Sequence, residues 1–254
     1  MLSNSQSAFT VSVVGLLSKF WTNIANSLRI YDRSILIDAL ESRPKDVPLI
    51  TVTNHHSCMD EPLLWGILDA KHLTNQCLMR WALAAHNICF WSKPISQFFA
   101  HGKSIPVNRG AGVYQEGVNF AIDRLNEGHW VHLYPEGQVN EQKIDMRYKW
   151  GVGRLIAESH VNPIVIPIYH IGMDDILPNI KPYFWFSRFP KFGKKVTVLI
   201  GKPIPVKEIV QKLRNTSASE EEMRKTLTDV VEKHLKGLRI EAEIYHAKRT
   251  TYFQ

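Results

Sequence analysis

A chain of 254 residues with 44% hydrophobic and 22% charged positions has an ordinary globular balance and is long enough for one sizeable core. Lys and Arg exceed Asp and Glu by 31 − 24 = 7, which favours acidic partners, nucleic acid or anionic lipid, without choosing between them. The three cysteines, Cys58, Cys77 and Cys89, have neither metal-ligand spacing nor an even count, so they imply no disulfide framework and read as small apolar residues.

The first 31 residues contain Lys19 and Arg29 but no acid. On a helical wheel Phe9, Val13, Leu16, Leu17, Phe20, Ile24 and Leu28 share one side, with Ser12, Lys19, Asn23 and Asn26 opposite. The run AFTVSVVGLLSKFW is short of the roughly 20 apolar residues of a spanning helix. The expectation is therefore a helix lying in a bilayer interface, with Trp21 and Lys19 at its boundary; the alternative is a helix packed on its own domain. A stretch without acids also resembles mitochondrial targeting information.

Beyond it, PLITVTN (48–54) reads as a buried strand and EPLLWGILDA (61–70) as a helix. CLMRW (77–81), SIPV (104–107), HWVHLY (129–134), PIVIPIY (163–169) and KVTVLIG (195–201) are further strand candidates. Residues 113–128 carry Val113, Val118, Ile122 and Leu125 at helical spacing and stop at Gly128. Strands separated by helices of this length argue an α/β domain. Near the C-terminus, Ser219 and Glu222 form a capping-box pattern, and Met223, Leu227, Val230, Leu235 and Leu238 mark one face of a helix to about residue 246. The loop FSRFPKFGKK (186–195) is the most basic and aromatic stretch, either a lipid-headgroup contact or an ordinary surface loop. One domain over 32–254 with an appendage over 1–31 is the expected organisation.

The stretch NHHSCMDEP (54–62) places His55 five residues before Asp60. In a continuous helix such residues sit about 140° apart, so they meet only if the chain turns between them. A strand ending at Asn54, with Ser57 as N-cap and Asp60 in the first helical turn, permits this. Asp60 could then hold one imidazole nitrogen and leave the other as a general base toward a hydroxyl. Asp60 could equally do no more than stabilise the helix start. The same spacing recurs as His170 and Asp175, so spacing alone does not discriminate.

Order does. His55 and Asp60 are followed by KSIPVNRG (103–110), YPEGQ (134–138) and PIVIPIYH (163–170), a succession that resembles the four blocks of the glycerophospholipid acyltransferase superfamily over residues 48–205. The resemblance implies an α/β fold with a central mixed β-sheet flanked by helices. It also implies His55 as base and Asp60 as its partner, with Arg109 near the acceptor phosphate. Glu136 and Gly137 would lie at the headgroup, with Pro167 in the acyl-binding wall. The longer strings NHHSCMDEPLLWGIL, HWVHLYPEG and RYKWGVGRLIAE resemble the transacylase branch, which implies exchange of acyl chains between phospholipids and lysophospholipids. Cardiolipin made from monolysocardiolipin, no cofactor, no metal and no coenzyme A are part of that implication.

Two positions depart from the wider pattern. Gln138 and Val139 stand where members that take a phosphate monoester carry Thr and Arg, which argues against a coenzyme A-dependent 1-acylglycerol-3-phosphate acyltransferase. Pro106 and Asn108 also differ, which leaves the contact of Arg109 open. A nucleophilic Cys58 and a catalytically silent lipid-binding scaffold remain alternatives; nucleic acid is not expected as a partner, since no recognition motif is present. The expected setting is monotopic on a mitochondrial membrane, inner or outer, facing the intermembrane space, against a cardiolipin-containing anionic surface. A homo-oligomer is left open.

Overall fold

The computed structural model describes residues 4–178 and 190–251. In chain order these form α1 (Asn4–Phe20), continued by a π-helical turn Trp21–Ala25, then β1 (Ser27–Tyr31), α2 (Arg33–Glu41) and β2 (Leu49–Thr53). There follow α3 (Asp60–Leu64), α4 (Ala70–Leu73), β3 (Trp81–Ala85), α5 (His86–Cys89), α6 (Lys93–His101) and β4 (Ser104–Val107). The rest is α7 (Glu116–Asn126), β5 (Trp130–Leu133), α8 (Gly151–Glu158), β6 (Ile164–Ile171), α9 (Met173–Ile176), β7 (Lys195–Ile200), α10 (Val206–Asn215) and α11 (Glu220–Thr251).

The strands make one sheet in the order β1-β7-β6-β2-β5-β3-β4. Every pairing is parallel except β6 with β7, so the sheet is mixed, as the resemblance implied. β2 lies at its centre with all five residues buried, which is why it reads as an unbroken apolar run. Alternate side chains enter opposite cores. Leu49 packs among α1 to α4, whereas Ile50 and Val52 pack with α7, α8, α10 and α11.

Several sequence expectations need correction. Trp81, placed last in a strand over 77–81, opens β3; Gln76–Leu78 is a 3-10 turn. The helix expected over 61–70 breaks after Leu64 into a 3-10 turn, Trp65–Ile67, and restarts at Ala70 behind an Asp69 capping box. Ser27–Tyr31, assigned to the appendage, is an edge strand of the sheet. The capping contact of Glu222 N–H on Ser219 Oγ (3.2 Å) is present, but α11 continues to Thr251. Its buried face is Leu227, Val231, Leu235, Leu238 and Ala242, with the half-buried Met223 and Val230 packed on the same core. Of the loop 186–195, residues 186–189 lie outside the described residues.

The N-terminal helix packs on its own domain by one face and leaves its apolar stripe exposed. Its small and polar face docks on the domain. Lys19 Nζ donates to Leu68 O (2.7 Å), Asn23 Nδ2 to Gly66 O (2.9 Å) and Ser7 Oγ to His101 O (2.8 Å). Gly66 permits this approach, because a Cβ there would stand 2.0 Å from Thr22 Oγ1. The opposite face, Phe9, Val13, Leu16, Leu17, Phe20 and Ile24, is exposed. Because the helix extends beyond the apolar run, Ser5–Ala25 gives 21 residues, which is enough by length and composition to cross a membrane. The helix is thus longer than the apolar run AFTVSVVGLLSKFW.

Candidate active site

Because β2, β4, β5 and β6 run parallel, the loops that leave them emerge at one edge of the sheet, the edge where open α/β folds bind ligands. His55 and Asp60 follow β2, Arg109 follows β4, Glu136 and Gly137 follow β5, and His170 occupies the end of β6.

The chain does turn between His55 and Asp60. His55 Nδ1 lies 3.0 Å from Asp60 Oδ2. The same oxygen accepts the backbone N–H groups of His56 (2.6 Å) and Ser57 (2.8 Å). Ser57 therefore does not cap α3. Its carbonyl accepts Asp60 N–H (3.1 Å), and the carboxylate, a stronger acceptor than a hydroxyl, gathers the loose amides. Asp60 is fully buried. Burial alone would push its carboxyl up, but His170 and then His55 outweigh that and hold it well below the usual carboxylate range. With an acceptor at Nδ1, His55 carries its hydrogen there. Its Nε2 bonds to no described residue, and the side chain is 15% exposed.

A wall that the sequence reading did not find backs this imidazole. Tyr134 stacks on His55 with ring centroids 4.1 Å apart, and its hydroxyl donates to Glu61 Oε2 (3.1 Å). Glu61 is held by Arg80, whose Nε donates to Oε1 at 2.8 Å, and by Trp65 Nε1 at 3.3 Å. The Arg80 guanidinium lies 5.0 Å from the Trp65 ring centroid. Behind them His132 is fully buried. Thr51 Oγ1, which accepts Trp130 Nε1–H (2.8 Å), is 2.7 Å from His132 Nδ1. Burial above all, then the charge of Arg80, pushes His132 well below the ordinary range, so it is neutral. The signal for this wall was legible only as the residue after Asp60, the Arg of CLMRW and the Tyr of YPEG.

Glu136 is buried and accepts His55 N–H through Oε1 (3.1 Å); burial pushes its carboxyl up. Gly137 has φ of 74°, the left-handed region a turn requires here. Its α-carbon faces Lys149, whose Cγ would lie 2.9 Å from an added Cβ. Pro167 pairs with Val52 in mid-strand. Its carbonyl accepts Gly201 N–H (2.8 Å), beyond the end of β7, so its missing donor falls where no ladder needs it. Arg109 is exposed and pairs with no carboxylate among the described residues. Its charge reaches Cys89, as does that of Glu61.

The second spaced pair does not form. His170 is fully buried against Asp60, Nε2 to Oδ2 3.5 Å, while Asp175 is exposed on α9. Cys58 is no activated nucleophile, because desolvation and then the charge of Asp60 push its thiol up.

Comparison with known proteins matches residues 34–171 to the Acyltransferase family. The chain is 45% identical over 243 residues to tafazzin of Drosophila melanogaster, covering 96% of this chain and 63% of that protein's length. It is 39% identical to N-acylphosphatidylethanolamine synthase of Arabidopsis thaliana, over 76% of this chain and 69% of that one. A third relative, "Taffazin" of Dictyostelium discoideum, is 38% identical over 82% of this chain and 72% of its own length. Among solved structures, the 1-acyl-sn-glycerophosphate (LPA) acyltransferase of Thermotoga maritima superposes with a TM-score of 0.59. That likeness covers 91% of this chain and 79% of that chain at 19% identity, and bears on the fold alone.

Proposed function

The chain belongs to the acyltransferase family, and from that premise we propose that it exchanges acyl chains between phospholipids and lysophospholipids without coenzyme A, making cardiolipin from monolysocardiolipin. The observation that carries the chemistry is the 3.0 Å contact of His55 Nδ1 with Asp60. It fixes the tautomer and leaves Nε2 as the base.

In this reading the lysophospholipid hydroxyl gives its proton to His55 Nε2 as its oxygen attacks the donor ester carbonyl. The Asp60 carboxylate steadies the imidazolium without itself taking the proton. Collapse of the tetrahedral intermediate breaks the donor ester bond, and the departing glycerol oxygen takes the proton back from His55. One ester is made for each one lost, so the exchange is reversible and calls for no activated donor. Glu136 holds the loop that carries His55. Arg109, an exposed fork without a carboxylate partner, suits an acceptor phosphate, and Pro167 shapes the acyl wall.

The setting we favour is monotopic on a mitochondrial membrane, with α1 and the π-helical turn after it as the attachment segment and the acyltransferase-like domain beginning at β1. The exposed stripe of α1 supports it. So does the neighbouring loop, where exposed Phe192 packs on Trp21 (centroids 4.9 Å apart) beside Lys191 and Lys194. A spanning pose would forfeit the hydrogen bonds of Lys19 and Asn23 to the domain.

The test is transfer of a labelled acyl chain from phosphatidylcholine to monolysocardiolipin in vesicles, with and without acyl-coenzyme A. Strict dependence on acyl-coenzyme A would replace this reading with the lysophosphatidate acyltransferase one. Label arriving on the amine of phosphatidylethanolamine would replace it with an N-acylation.

A further inference from the structure

The reaction just described leaves one buried imidazole at its centre without a task. His170 Nε2 stands 3.0 Å from Asn54 O and 3.5 Å from Asp60 Oδ2. Both neighbours accept, so Nε2 must carry a hydrogen. The Asn54 side chain pins the same residue by its backbone, donating to His170 O (3.0 Å) and accepting from His170 N–H (2.9 Å). These bonds fix the His170 backbone beside the carboxylate, and the Nε2 contact with Asn54 O orients its ring. Two imidazoles, one open to substrate and one enclosed, face a single Asp60 oxygen.

We propose that His170 is a positioning residue that sets the basicity of His55: it shares Asp60 with the base and, by carrying a positive charge, limits how strongly that carboxylate holds the His55 imidazolium. The inference rests on His55 being the base. A buried carboxylate devoted to one imidazole favours its charged form, and a base already protonated cannot take a proton from a hydroxyl. A second cation on the same oxygen divides that pull.

The charged and titratable groups around His170 come from every side. They are Asp60 of α3, His55 and His56 of the preceding loop, Asp174 of α9, and His132 and Glu136 of β5 and the turn after it. Burial pushes His170 down, but the charge and hydrogen bond of Asp60 outweigh it and leave the imidazole above its ordinary range. His56, whose ring meets that of His170 edge-on at 5.8 Å, is instead pushed down to about 3, by burial first and by His170 next. His170 is thus shifted in the opposite direction to its enclosed neighbours His56 and His132, and the cluster titrates as a unit.

His170→Gln separates charge from shape, since a Gln amide nitrogen reaches the place of Nε2 and donates without being able to ionise. The experiment follows histidine side-chain nitrogens by NMR through a pH series, using the full chain in lipid nanodiscs. In His170→Gln the titration midpoint of His55 is expected to move up by about half a unit to one unit, and the acid limb of the transfer rate to move with it. An unmoved midpoint overturns the proposal and leaves His170 a structural residue. The wild type supplies a reading that needs no variant: His170 must stay protonated across the range where His55 titrates, and a neutral His170 there overturns the proposal even if the variant does not fold. Neither reading requires turnover, so failure of the transacylase reading remains distinguishable.

Discussion

Tyr134 lies nearly parallel to the imidazole of His55, with centroids 4.1 Å apart, and its hydroxyl is tied to Glu61. The tyrosine restricts ring rotation of His55, while Asp60 fixes which of its nitrogens is free. Tyr134→Ala removes the plate and is expected to lower kcat by about 10- to 100-fold with little change in KM, the range in which misplaced catalytic groups fall. Tyr134→Phe keeps the plate and loses only the tether, so a loss under about 10-fold is expected. Steady-state kinetics on the two variants check both values.

Arg80 and Glu61 form a largely buried pair, 8% and 23% exposed at their side chains. Removing one partner leaves the other desolvated and unpaired, which costs about 3 kcal/mol or more. Arg80→Ala should therefore unfold at clearly lower denaturant concentration. Arg80→Lys should restore only part of the loss, because an ammonium cannot hold Glu61, Gly102 O and the Trp65 face together. Equilibrium denaturation of the three proteins gives the comparison.

The buried histidines make the fold sensitive to acid. His56 is pushed down to about 3, by burial first, from an unfolded value near 6.5. Its folded state binds protons less readily than its unfolded state, so its contribution is full above about pH 6.5 and is lost as pH falls toward 3, at up to about 1.4 kcal/mol per pH unit. His132 acts in the same direction. Asp60, also depressed, contributes fully above about pH 4 and loses that below it. His170, raised, opposes them, since its contribution is full at low pH and fades as pH rises through its folded value. Unfolding free energy should fall between pH 6.5 and 4, and His56→Asn should flatten that slope. Urea denaturation across the pH series measures both.

The outward stripe of α1 can be removed without touching its docked face. Phe9, Leu17 and Ile24 are 72%, 62% and 75% exposed. Truncating each to Ala removes about 1 kcal/mol or more of transferable apolar surface, so the triple variant should bind cardiolipin-containing vesicles at least about 100-fold more weakly. Its circular dichroism should match the wild type. Co-sedimentation with vesicles measures the binding, and undiminished binding would show that the stripe is not the contact.

The parts of the fold written in local pattern were legible in the sequence. β2 and β6 are buried apolar runs, α7 has its helical period, and α11 announces its start with Ser219 and Glu222. Elements defined by long-range pairing were not. β1 is short and alternates between exposed and half-buried residues, and it is a strand because Ser27 to Tyr31 find β7. In the site, the meeting of His55 with Asp60 followed from the turn between them. The placement of His170 on Asp60 rather than beside Asp175 depends on β6 lying next to β2, which spacing along the chain does not encode. The wall of Tyr134, Glu61 and Arg80 draws one residue from each of three separate segments for the same reason.

The most direct measurement is coenzyme A-free transfer of a labelled acyl chain from phosphatidylcholine to monolysocardiolipin in vesicles by the wild type and by His55→Ala. Transfer by the wild type that is abolished in a folded His55→Ala is the expected result. Undiminished transfer by His55→Ala contradicts the assignment of the base, and no transfer by the wild type without acyl-coenzyme A contradicts the transacylase reading.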